Sequence, residues 1–170
     1  VPSMSATATT MSIANASGFV ANEIVALKKV TSTGFSTEYM FVNSASRVEP
    51  TSDVDLRGHL YVVRAYNEGI AGDSGSLGDL GSTATNYPEG QVVVSTGRNG
   101  TGFIRLNANP GDVTTPYMDI VERTGSGIYD VELKTRLGDL SGVAGTRNVP
   151  ADFTGFGLMT EVAFLSGSNI

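Results

Sequence analysis

Apolar and polar positions alternate along this chain in short runs, and no segment carries a 3.6-residue period with capping signals at both ends. The runs predict strands. Residues 23–30, 36–44 and 59–66 are rich in β-branched and aromatic side chains and are separated by turn-forming residues, the pattern of a small barrel or meander. Further strands are expected at 91–95, 103–108 and 117–123, with a last apolar segment at 155–165. In 103–108, Ile104, Leu106 and Ala108 share a face. The most regular alternation covers 129–137. There Tyr129, Val131, Leu133 and Leu137 fall on one side, and Asp130, Glu132, Lys134 and Arg136 on the other. A strand with the first set buried and the second in water is the expectation.

Between these runs the composition changes twice. Residues 1–12 are rich in Ser, Thr and Ala and read as a lead-in linker. Residues 67–90 carry Gly69, Gly72, Gly75, Gly78 and Gly81 at intervals of three, a Gly/Ser-rich connector that buries little. The expected organisation is therefore a lead-in at 1–12, a small β-barrel-like module at 13–66, the connector at 67–90 and an extended β module at 91–170. The fold class is all-β. In the last module a single narrow apolar stripe does not close a core within one chain, so neighbouring chains are expected to cover it.

Composition narrows the function classes. In 170 residues there are 11 Lys and Arg against 17 Asp and Glu, a net charge of −6 with the basic residues scattered, which argues against nucleic acid or an anionic membrane as partner. With no cysteine, the chain has no disulfide framework, thiolate nucleophile or Cys-ligated zinc. No apolar run approaches the ~20 residues of a membrane helix. The first ten residues lack a basic start and an apolar core, so no signal peptide is expected there, and the missing initiator Met suggests a piece of a longer chain or a processed product.

Catalytic and metal-binding patterns are sparse. Gly72-Asp73-Ser74-Gly75 matches the nucleophile string of trypsin-like proteases, and His59 is the lone histidine. A serine nucleophile needs a base and the base an orienting carboxylate, whereas only a short glycine-rich stretch separates this pair; a connector is the simpler reading. Asp53, Asp55 and His59 offer calcium-like spacing, but too few carboxylates, with Arg57 beside them; a solvated hairpin loop is expected. Asn107-Ala108-Asn109-Pro110-Gly111-Asp112 reads first as a turn. Sugar-cleaving grooves usually offer aromatic platforms, the chain has no Trp, and Tyr39, Tyr61, Tyr66, Tyr87, Tyr117 and Tyr129 are more economically core or interface residues. No catalytic, cofactor-binding or metal residues are assigned, and the chain is expected not to be an enzyme.

One resemblance runs through the second half. The string Gly102-Phe103-Ile104-Arg105-Leu106-Asn107-Ala108-Asn109-Pro110, followed by Thr115-Pro116-Tyr117-Met118-Asp119-Ile120-Val121-Glu122-Arg123-Thr124-Gly125, resembles C-terminal parts of bacteriophage and prophage tail-tip (host-specificity) or central tail fibre proteins. So do Ile128-Tyr129-Asp130-Val131-Glu132-Leu133-Lys134 with Arg136-Leu137-Gly138-Asp139-Leu140-Ser141-Gly142, and the closing Gly155-Phe156-Gly157-Leu158-Met159-Thr160-Glu161, where Val162 stands in place of a polar residue. The resemblance covers about residues 91–167, more faintly 20–66. It implies a structural, homotrimeric part of a tail fibre, tail tip or baseplate in the virion, partnered by other tail proteins and contributing to attachment at a host surface glycan or receptor. A carbohydrate-binding module with sugar held in loops 44–58 or 67–90, and a polysaccharide-degrading tail enzyme, are the alternatives.

Overall fold

The computed structural model describes residues 1–32, 34–66, 84–164 and 166, and its architecture is all-β as the alternation predicts. Nine strands are described: β1 (Thr10–Ile13), β2 (Ile24–Thr31), β3 (Gly34–Arg47), β4 (Gly58–Val63), β5 (Val93–Ser95), β6 (Gly102–Asn107), β7 (Tyr117–Arg123), β8 (Val131–Asp139) and β9 (Phe156–Thr160). Among the described residues the helical structure is a 3-10 turn at Ser141–Val143, and no helix is long and apolar enough to cross a membrane. The strands form an antiparallel five-stranded sheet, β1-β4-β3-β2-β5, and a four-stranded meander, β6-β7-β8-β9. Two units contain them: Val1–Thr101 with Arg123–Val131, and Gly102–Glu122 with Glu132–Ile170.

In the first unit one face of the sheet is dry. Met11 and Ile13 of β1, Val25 and Leu27 of β2, Met40 and Val42 of β3, and Leu60 and Val62 of β4 form one cluster with Met4, Ala16 and Tyr87. No helix covers that face among the described residues, so the sheet curls over its own side chains, as a small barrel does. Its edges are drawn together outside the strands: Met4 and Tyr87 exchange two backbone bonds of 2.8 Å, and the Gly90 amide donates to the Val1 carbonyl at 2.9 Å.

Two expectations are corrected here. Residues 1–12 are not a loose lead-in, because Met4 and Met11 are core residues and β1 pairs with β4 from Thr10↔Tyr61 to Ile13↔Gly58. The first module does not end at 66 either. β5 extends the sheet through Val25↔Ser95 and Leu27↔Val93, and the segment Arg123–Val131 returns to the same unit. Of the connector at 67–90, residues 67–83 lie outside the described residues, while Tyr87 is buried.

β3 runs longer than its sequence signal because of a bulge. Val42 faces Val62 and Ser44 faces Tyr61, so Asn43 is the extra residue. Glu38, Met40 and Val42 point inward before it, Ala45 and Arg47 after it, so the inward parity changes from even to odd. Arg47 then holds the following loop by donating from Nη2 to the carbonyls of Ser52 and Asp55.

A buried ion pair ties the unit together. Glu38 is 1% exposed and accepts from Arg64 Nε at 2.7 Å and Nη2 at 2.9 Å, and from the amides of Ala65 and Thr85. Arg64 spends its remaining donors on the carbonyls of Ser5, Ala8 and Thr85. Strands β3 and β4, the N-terminal segment and the segment before β5 thus meet at one satisfied pair, the condition under which buried charge is tolerated.

The second unit is a meander with a small core. Leu140, Val143 and Met159 are buried together, with Leu133, Val149 and Phe153 packed against them. The register is regular, Ile104↔Ile120 and Leu106↔Met118 in the first pair and Leu137↔Leu158 in the last.

Candidate interaction surfaces

The second sheet is turned the opposite way from what its alternation predicts. On one face Asp119, fully buried, accepts from Arg136 Nε at 2.7 Å and Nη2 at 2.9 Å, and from Arg105 Nη2 at 2.5 Å. The Arg136 guanidinium lies 3.6 Å from the Tyr117 ring centroid, and Asn107 Nδ2 donates to the Tyr117 hydroxyl and to Asp112. The hydrogen-bonded Asp119 carboxylate raises the pKa of Arg136 further, so the guanidinium stays charged. Arg136, expected in water, is therefore buried, and Leu137, expected in the core, is 51% exposed. Tyr129 and Val131 are likewise exposed, while Leu133 alone of that set packs against a core cluster. The reason is chemical: a guanidinium clamped bidentately on a carboxylate and stacked on an aromatic ring is satisfied out of water, so alternation alone does not say which face is dry.

Because Asp119 and Arg136 meet on one face, Met118, Ile120 and Leu137 share the other. That face carries Ile104 (65% exposed), Leu106 (77%), Ile120 (43%), Leu137 (51%), Phe156 (68%) and Leu158 (61%). Ile104 and Leu106 share a side as expected, but the side is open. Within it Leu106, Tyr117, Met118, Leu137, Gly138 and Phe156 line a depression of about 350 Å³. Gly138 lets the chain approach its neighbour closely there: its φ is +132°, and a Cβ would collide with the Pro116 carbonyl and the Tyr117 backbone. An ionic cluster of the same unit is formed by Lys134, which bonds Glu122, Glu132 and Glu161, with Arg147 reaching Glu132 and Glu161.

A second surface lies in the first unit. A groove of about 480 Å³ is bordered by Ser12, Ile13, Val48, Arg57, His59 and Glu89 among others. Ser12 and His59 are cross-strand partners, with Ser12 Oγ 3.1 Å from His59 Nδ1. Val48, Arg57 and Gly58 of its lining fall in 44–58, one of the two loops in which the carbohydrate-binding alternative holds a sugar.

Of the residues weighed from sequence, Asp53, Asp55 and His59 do not converge, and among the described residues no three His, Cys, Asp or Glu side chains gather as a metal site. Asp55 instead pairs with Arg57, whose guanidinium holds its carboxyl down at about 2. The string 72–75 lies outside the described residues. Loop 107–112 is closed on itself as a turn: Asn107 Oδ1 accepts from the Asn109 amide, Asn109 Oδ1 from the Gly111 amide, and Asp112 Oδ1 from Thr114. Sequence reasoning missed Asp119 with its two arginines. Their spacing across three strands carries no local signal, though an Asp between apolar residues in a predicted strand is itself a request for a partner. The chain matches no protein-family model, no curated protein and no solved structure.

Proposed function

We propose that this chain is a non-catalytic structural module of a bacteriophage tail, a part of a fibre, tail tip or baseplate that assembles as a homotrimer and contributes to host attachment. The observation that carries the reading is the second unit. Among the described residues its core cluster is Leu140, Val143 and Met159, while six large apolar side chains of its sheet stand in water. A sheet of that kind belongs to an assembly in which other chains complete the core. The strings at 102–125 and 128–142, which resemble tail proteins, fall on the strands that build it. Light scattering coupled to gel filtration tests the assembly: three chain masses are expected, and a single chain mass at every concentration removes the reading. Binding to host cells tests the attachment role.

A second reading, glycan recognition, is favoured by the groove at Ser12, Arg57 and His59, which combines hydrogen-bonding groups with apolar walls on a scale suited to one or two sugar rings. Glycan-array binding that is abolished by Arg57→Ala with His59→Ala, the mass in solution being unchanged, would establish it.

A further inference from the structure

We infer that the open face of the second sheet, Ile104, Leu106, Ile120, Leu137, Phe156 and Leu158, is the surface through which copies of this chain pack on one another, with the depression at Gly138 receiving an apolar side chain of the neighbouring copy. The inference rests on the assembly reading above and adds to it the surface and the manner of contact.

Area favours a stable partner. The six residues leave on the order of 700 Å² of largely apolar surface in water, against ~300–600 Å² for the largest patch of an ordinary monomer and ~800 Å² per partner in a standard stable interface. Chemistry favours a second copy over an unlike partner. The six side chains hold no charge and no hydrogen-bonding group that would select a charged or polar ligand. They are aliphatic and aromatic residues on an antiparallel sheet, and a face of this composition is covered by others of the same kind, as when the sheets of three copies turn toward a common axis. This chain offers one in every copy.

The opposite face explains why the arrangement holds before assembly. Asp119, Arg136, Arg105 and Tyr117 satisfy one another within the chain, so the sheet keeps its register without a partner and presents the apolar face preformed. Gly138 adds the specific feature. It lies in the lining of the depression beside Leu106, Leu137 and Phe156, and its missing side chain lets the strand approach Pro116 and Tyr117 closely, so any larger residue there strains the strand.

The test uses the full chain. Wild type is expected to run as a multiple of the chain mass, and Leu106→Glu with Leu158→Glu as a single chain with an unchanged β-sheet circular dichroism spectrum. Val113→Glu, at a site 92% exposed and off the sheet, is the control and keeps the wild-type mass. Because the chain has no cysteine, Leu158→Cys supplies a second measurement that does not require the charged variant to fold. The introduced thiol should react slowly with a soluble reagent in the assembled protein and rapidly after dilution to single chains. If wild type is oligomeric and the charged variant keeps the wild-type mass, or the introduced thiol reacts rapidly in the oligomer, the surface is wrong while the assembly reading stands. A wild type of single chain mass removes both, and a slowly reacting thiol in that monomer shows that the chain's own residues cover the face.

Discussion

The two sheets are built from the same kind of sequence, short alternating strands with polar turns, and yet they divide water in opposite ways. In the first, the inward faces of β1 to β4 enclose a cluster of Met, Ile, Val and Leu side chains, and the buried Glu38 is paired with Arg64. In the second, the dry face holds Asp119 and Arg136, and the apolar face is open. A curled sheet covers its own interior, because five strands bend far enough for their side chains to meet. The four-stranded meander leaves an apolar face open. The first unit is thus a self-sufficient fold and the second a surface held in shape.

Point substitutions can break this contrast. Arg64→Met leaves Glu38 buried with its charge unpaired and is expected to cost ~3–5 kcal/mol in denaturant unfolding; a loss below ~1 kcal/mol would mean the pair does not hold the first unit together. Leu60→Ala should cost ~2–5 kcal/mol, since nothing around a fully buried leucine in a closed cluster relaxes into the gap. Leu106→Ala, by contrast, should move the chain's own stability by no more than ~0.5 kcal/mol and show its effect in the concentration dependence of the melt. Similar losses from these two substitutions, at all concentrations, would erase the distinction between the units.

Within the second unit, Arg136→Ala should cost about 3 kcal/mol by stranding Asp119 with Arg105 as its remaining partner, well above the cost of Leu137→Ala in the dissociated chain. The reverse ranking would restore the face assignment that alternation suggests. A pH dependence sharpens the description of the first unit. Burial, with the Glu38 carboxylate nearby, pushes the Tyr87 phenol up to about 12 from its ordinary value near 10. A raised folded-state value means stability that is whole below pH 10 and declines as pH rises from about 10 to 12. Tyr87→Phe should flatten that decline; an unchanged alkaline profile would show that the phenol is not the group responsible.

Much of the fold was legible because strand alternation is a local property. β7 lies where apolar and polar positions place it, and β2, β4, β6 and β8 agree to within a few residues. What escaped were features made by contacts distant in sequence. β1 lies in a Ser/Thr/Ala-rich segment whose value as a strand comes from Met11 and Ile13 meeting β4. β5, three residues long, lies within the expected 91–95, but its place in the first sheet comes from pairing with β2. The groove beside His59 had a hint in the loop that borders it, whereas the open apolar face had none beyond the expectation that the stripe needs neighbours.

The sequence by itself determined the all-β class, the approximate strand positions and the absence of cysteine chemistry, since each depends on residue type and on a period of two along a single strand. Only the tertiary structure decided which side of each strand is dry. That choice depends on whether a charge such as Arg136 finds a carboxylate and an aromatic ring on neighbouring strands, and on whether a sheet curls far enough to cover its own leucines. Both are properties of strands brought together from distant parts of the chain, and no local pattern records them.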